Sequence, residues 1–397
     1  MLRKRNFIRR FPYKKPFGAV LDSGEYSKNL DCVLATADRA GFRRRHAESR
    51  RRGKLRGFGI GCFLETARGA PDEDAWLTFL PDGRVSMAVG TQSNGQGHET
   101  SFAQVLSGLL GLPIDAFQLV QGDTVRVPSG RGHSGARSLH VGGAALHGAA
   151  QALIENGRQA AAQLLQASCD AVVFASSWYR APGAGEVDLA TVAHHVAISD
   201  GQPLSGHGAH RNAPYTFPNG AQVAEVEIDP DTGAVSLLGY HAVDDYGTLV
   251  NPLLTTGQVH GGLAQGIGQA LMEEARYDSD GGQLLTASFM DYAVPRAADL
   301  PRFDVVMREV PTQANPLGVK GAGQSGCIGA PQTIVAAILD ALRPLGVTHI
   351  DMPATPASIW KAISQVQALN ASARSFEDSA ARRRKPARRQ NGRAEDA

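Results

Sequence analysis

Residues 218–247 read PNGAQVAEVEIDPDTGAVSLLGYHAVDDYG, and this stretch decides the fold. Val223, Val226 and Ile228 lead into DPDTG, and a second extended run follows. Two such runs joined by a glycine-bearing turn are the signature of a β-hairpin. Upstream, WLTFLPDGRVSMAVG at 76–90 carries the same signal around PDG, and LRGFGIGCFLE at 55–65 reads as a strand before it. Helices follow each hairpin. Phe102, Val105, Leu106 and Leu109, spaced three and four apart, predict one over 99–111, with a second over 139–167 and a glycine-rich one over 256–274. A strand near 303–309 then precedes a helix near 328–343. Strand-hairpin followed by helix in both halves predicts an α+β fold made by duplication.

Working outward, Pro12, Pro16 and Gly18 break any regular element in residues 1–30, and a basic helix over 30–52 stops at Gly53. The expected organisation is a lead-in over 1–54, a first subdomain over 55–200, a second over 201–370, and a tail over 371–397. The tail, ARSFEDSAARRRKPARRQNGRAEDA, has too few large apolar residues to bury and is expected to be disordered.

The 43% apolar and 20% charged residues fit a globular chain and exclude a disordered or membrane-embedded one. No apolar run approaches membrane-spanning length, and the basic amino terminus lacks the apolar core of a signal peptide. Cys32, Cys62, Cys169 and Cys327 are scattered, which argues against a zinc site, an iron–sulfur cluster on this chain or a disulfide framework, and fits a reducing cytoplasm. GxSxG, a P-loop and a His/Cys cluster are all absent. The arginine runs at the ends have no basic-aromatic pattern beside them, so nucleic-acid binding is set aside.

Four glycine-rich segments carry the candidate chemistry. GTQSNGQGHET at 90–100 lies between strand and helix, where small residues expose N–H groups at a helix start and Gln96 adds an amide. GRGHSGARS at 130–138 places an arginine fork before a helix, as a phosphate clamp or a structural ion pair. In GQVHGGLAQGIGQ at 257–269, several helical glycines imply close packing or close approach of a ligand, and Gln258 and Gln265 sit two turns apart. NPLGVKGAGQSGCIGAP at 315–331 is a tight loop with one polar side chain at its centre. Taken singly, His98, His133 and His260 read as hydrogen-bonding loop or helix residues, Cys327 as a packed thiol and Glu99 as a partner for the helix dipole.

Together with VDDYGTLVNP, SFMDYAVPRAADLP and DMPATPASIW, these strings resemble the molybdenum-hydroxylase large chains: xanthine dehydrogenases, aldehyde oxidoreductases and carbon monoxide dehydrogenases. The resemblance covers roughly residues 1–365, in family order, and the carbon monoxide dehydrogenase-like and aldehyde dehydrogenase-like branch matches better than the eukaryotic xanthine branch. It implies a non-covalently held molybdopterin (cytosine) dinucleotide with molybdenum, and no metal ligand from the protein. It further implies that [2Fe–2S] clusters and FAD sit on partner subunits, and that the substrate is a small aldehyde or heterocycle. By position, Gln92, Gly95, Gln96, Gly97, His98, Thr100, Gly135, Arg137 and Ser138 would bind the pterin and dinucleotide. Gly257, Gln258, Gly261, Gln265 and Gly266 would line the cofactor, and Lys320, Gly321, Gly323, Gln324, Ser325 and Gly326 would form the loop beside the metal.

Two departures from the family pattern matter. The family has a catalytic glutamate base where this chain has Gln324, and an amide has no basic site near pH 7, with Glu309 as a conceivable substitute. The family's amino-terminal half is also missing, so that half is expected either as a separate chain or lost by truncation. The resulting readings are a hydroxylase half that works with partners, an impaired homologue that only binds cofactor or partners, and a carrier module without redox chemistry.

Overall fold

The computed structural model describes residues 2–16 and 18–383. The chain opens with α1 (Leu2–Asn6) and the two-residue strands β1 (Tyr13–Lys14) and β2 (Val20–Leu21). There follow α2 (Tyr26–Thr36), α3 (Phe42–Arg51) and β3 (Leu55–Leu64). The single helix expected over 30–52 is two, because the chain turns at Asp38, whose φ is +44°, and Asp38 accepts from the Gly41 N–H.

Next come β4 (Glu73–Phe79), β5 (Val85–Val89), α4 (His98–Leu110), β6 (Phe117–Val120) and α5 (Ala144–Leu165). The small strands β7 (Val173–Ala175), β8 (Trp178–Ala181) and β9 (Gly185–Asp188), then α6 (Leu189–Ser199) and β10 (Ser205–His210), complete this part. The remainder holds β11 (Asn219–Ile228), β12 (Val235–Asp245), α7 (Pro252–Leu271), β13 (Phe303–Arg308), α8 (Ser325–Leu342) and α9 (Pro356–Arg383).

Two four-stranded sheets share one plan. Their orders are β10-β4-β5-β6 and β3-β11-β12-β13, each antiparallel except for its final, parallel pair. In both, a hairpin is followed by a helix, a parallel edge strand and a long core helix on the sheet, α5 in unit one and α8 in unit two. The expected duplication is therefore real. Both core helices lie at backbone distance from a glycine-rich strand: a Cβ on Gly208 would meet Ala145 O at 2.1 Å, and one on Gly59 would meet Thr333 O at 2.0 Å. Alternating glycines that look like strand weakness thus select a close helix–sheet approach.

The expected boundaries need correction. β3 was grouped with the first subdomain but pairs along its length with β11, while β10, beyond the boundary at 200, pairs with β4. Unit one is thus an insertion between β3 and β11. Helices α2 and α3 pack Leu30, Val33 and Phe42 against Phe58, Ala221, Val223 and Val243 on the far face of the second sheet, so the lead-in belongs to unit two. The stretch read as a tail from Ala371 continues α9 to Arg383, its alanines and arginines being strong helix formers; residues 384–397 lie outside the described residues. The segment Ser325–Leu345 is long and apolar enough to cross a membrane, contrary to the reading of the sequence, yet 61% of it is buried here as the core helix of unit two.

Candidate functional site

Duplication brings helix starts to one place. A cleft opens between the units, lined by Gln96, His98, Ser138 and His140 from unit one and by Tyr246, Asn251, Gln258 and Lys320–Gly323 from unit two. An adjoining recess takes in Asn94, Gly95, His133, Gly135 and Gln324. The amino ends of α4, α7 and α8 and the π-turn Ser138–Gly143 that leads into α5 all border these two spaces. Gly97 before α4, Arg137 before the π-turn and Gln324 before α8 give no side-chain cap, so first-turn N–H groups and the positive helix ends remain for an anion.

In the first loop Gly95 (φ +94°) and Gly97 (φ +78°) take left-handed backbone, and a Cβ on Gly97 would strike Leu254 of α7 at 2.7 Å. The Gln96 amide folds back onto its own loop, donating to Gln92 O at 3.0 Å and accepting from the Asn94 N–H. Asn94 reaches His133 at 2.8 Å. Gln92 and Thr100 are exposed outside both spaces.

Arg137 does not reach the cleft. Its guanidinium is 0% exposed and engaged with Glu73 Oε2 (2.5 Å), Ala70 O, Gly132 O and Asp72 O. Of the two readings of this residue, the structural ion pair holds, and the phosphate clamp is withdrawn. It fixes the turn in which Gly135 and Ala136 both have positive φ, and Ala136 packs under Gly321 of the last loop.

On α7, Gln258 borders both spaces and donates to Gly323 O at 2.9 Å. Gly257, Gly261 and Gln265 instead lie on an exposed face outside the cleft. Gly266 packs on Ala330 and Pro331, and Gly326 packs on Gly262, where a Cβ would meet its Cα at 2.9 Å. These two glycines serve the α7–α8 contact and not the cleft, a correction to their expected role.

The last loop rests on buried polar groups. Lys320 pairs with Asp245 at 2.6 Å, both side chains 0% exposed, and Asp245 also accepts from Asn219. Ser325 points inward and donates to Glu65 at 2.6 Å, so its hydroxyl does not face the cleft. Burial raises the pKa of Glu65, which the sequence reading missed because its partner lies 260 residues away. Tyr246 donates to Asp244 at 2.9 Å, and burial pushes Asp244 up to about 7. Gln324 is exposed on the recess rim, and Glu309 lies outside both spaces, accepting from the Leu249 N–H.

Two histidines floor the unit-one wall. His98, 1% exposed, stacks on Phe102 and faces Gln121 through Nδ1, with Nε2 unpartnered among the described residues. His140, 0% exposed, has both ring nitrogens unpartnered, and burial lowers its pKa to about 4. The sequence reading passed over His140; a titratable residue in the otherwise apolar run LHVGGAA was the available signal.

A cleft with four positive helix ends and unpartnered buried nitrogens is built for a polar, anionic ligand, and the comparisons agree in kind. The molybdopterin cofactor-binding domain family matches residues 33–301, and the chain belongs to it. Over 91% of its length the chain is 34% identical to the nicotine 6-hydroxylase large subunit of Paenarthrobacter nicotinovorans, covering 47% of that protein. It is 32% identical over 92% of its length to the carbon monoxide dehydrogenase large chain of Hydrogenophaga pseudoflava, covering 48% of it. Among solved structures, a Cu,Mo-CO dehydrogenase superposes with a TM-score of 0.86 at 31% identity, covering 92% of this chain and 49% of that one. Quinoline 2-oxidoreductase from Pseudomonas putida 86 gives 0.83 at 32% identity, covering 89% of this chain and 48% of that one. The chain spans about half the length of the relatives it matches.

Proposed function

We propose that the inter-unit cleft holds a molybdopterin dinucleotide and that this chain is the cofactor-holding part of a molybdenum hydroxylase acting on an aldehyde or N-heterocycle. The observation that carries the reading is the convergence of four helix amino ends on a cleft floored by two imidazoles that carry unpartnered ring nitrogens. The donor set fits such a group. Backbone N–H groups around Gly95–His98, Gly135–Ser138 and Gly323–Ser325 suit phosphate oxygens, and Gln258 and the two histidines suit a polar heterocycle. When bound, the group supplies the two-electron oxidation and the oxygen transfer from water.

The chain's own part is binding, orientation and proton handling. Gln258 ties α7 to the last loop, so a ligand between them meets a fixed wall. Gln324 presents an amide at the rim, able to orient a substrate by hydrogen bonding but unable to take a proton near pH 7. Glu65 holds the hydroxyl of Ser325, the residue after Gln324, and Glu309 is engaged with the backbone at Leu249. This arrangement also supports a second reading, in which the chain binds cofactor and partners but turns over slowly. A cytoplasmic complex with the rest of a large subunit and with iron–sulfur and FAD subunits completes the proposal.

The test is to purify the chain with the products of its neighbouring genes, measure molybdenum and pterin per chain, and assay dye-linked oxidation of aldehydes and azaheterocycles. Stoichiometric molybdenum with turnover supports the hydroxylase reading. Stoichiometric molybdenum without turnover, restored by Gln324→Glu, supports the impaired reading. Absence of molybdenum sinks both.

A further inference from the structure

Resting on the reading just given, the hydrogen-bond polarity of the cleft floor says which part of the bound molecule lies there. Gln121 Nε2 donates to Thr91 Oγ1 at 2.9 Å, which turns Gln121 Oε1, an acceptor, toward His98 Nδ1 at 3.1 Å. Nδ1 therefore carries the ring proton, and Nε2 is left with a lone pair. Stacking on Phe102 at 4.5 Å between ring centroids fixes the ring plane. Burial lowers the His98 pKa, so the ring stays neutral near pH 7 and Nε2 remains an acceptor. His140, which lines the same cleft, is neutral and has one donor and one acceptor, both unpartnered among the described residues.

A buried acceptor without a donor loses its hydration with nothing in return. A fully ionised phosphate offers only acceptors and would worsen the mismatch. The backbone N–H groups at the uncapped helix ends that border the cleft have the opposite polarity, being donors.

We propose that His98 Nε2 accepts a hydrogen bond from an N–H or O–H of the bound cofactor, so that this wall reads an amide, amino or hydroxyl edge and not a phosphate. The edge belongs either to the pterin or to the nucleotide's base or sugar, and the experiment separates the two.

The complex is purified as wild type, His98→Phe and His98→Gln, each loaded with molybdopterin or with its dinucleotide form. Pterin retained after gel filtration is read as its fluorescent oxidation product, with molybdenum measured in parallel. Phe keeps the stack and removes the acceptor, whereas Gln keeps an acceptor. The expected result is pterin loss about tenfold faster from His98→Phe than from wild type, with retention largely restored in His98→Gln. Loss confined to the dinucleotide form assigns the edge to the nucleotide, and loss with both forms assigns it to the pterin. Equal retention by His98→Phe and wild type overturns the inference and leaves the cofactor reading standing. A wild-type complex without pterin overturns both. Should His98→Phe not fold, histidine-labelled wild type is compared loaded and stripped by nitrogen NMR. One non-protonated ring-nitrogen resonance should move upfield on loading, and an unchanged spectrum overturns the inference.

Discussion

At the residue scale, the buried charges were the least legible part of the sequence and give the clearest tests. Arg137 had two readings, and only the position of Glu73, 64 residues away, decides between them. Removing one partner leaves a charge buried alone, so Arg137→Leu should cost about 3–5 kcal/mol in denaturant unfolding. A phosphate clamp would instead lose ligand with folding intact. Asp244 gives a pH test. Its folded pKa, about 7, lies above the 3.8 of an ordinary aspartate. The stability it contributes is full below pH 4, falls as the pH rises through 7, and is flat beyond. Asp244→Asn should therefore show a shallower decline in Tm between pH 4 and 7 than wild type, and should melt higher than wild type at pH 8.

At the element scale, what the sequence made legible and what it hid have physical causes. Both hairpins were readable because DPDTG and PDG must turn and their flanks are apolar and β-branched. The strand β10, GHGAH at its centre, carries no such signal, since its glycines exist to admit α5. The glycine loops announced a cleft, but Gly266 and Gly326 look the same in sequence as Gly95 and Gly323, and only the helix on the other side separates packing from lining. Alanine substitutions should tell these classes apart. Gly59→Ala drives a methyl into Thr333 O and should destabilise by about 1–3 kcal/mol or more. Gly261→Ala meets nothing within 4 Å and should stabilise the chain by up to about 1 kcal/mol, measured in the same unfolding assay.

At the scale of the whole molecule, Leu253, Tyr277, Phe289 and Met290 stand 81%, 64%, 90% and 92% exposed, large apolar side chains of the kind that a partner covers. The double change Phe289→Ser and Met290→Ser should reduce self-association in light scattering while leaving Tm unchanged. An unaltered scattering profile would show that Phe289 and Met290 do not mediate association. The insertion of unit one has its own consequence. Its two ends are held side by side by reciprocal Ala67–Thr216 hydrogen bonds, with Glu65 N–H donating to Pro218 O. Closing a loop of some 150 residues by chance costs about 4 kcal/mol in chain entropy. Once unit one has folded, that closure is already made, and β3 and β11 arrive in register. Folding order then becomes asymmetric: damage to unit one should delay the second sheet, whereas damage to the second sheet should leave unit one able to form.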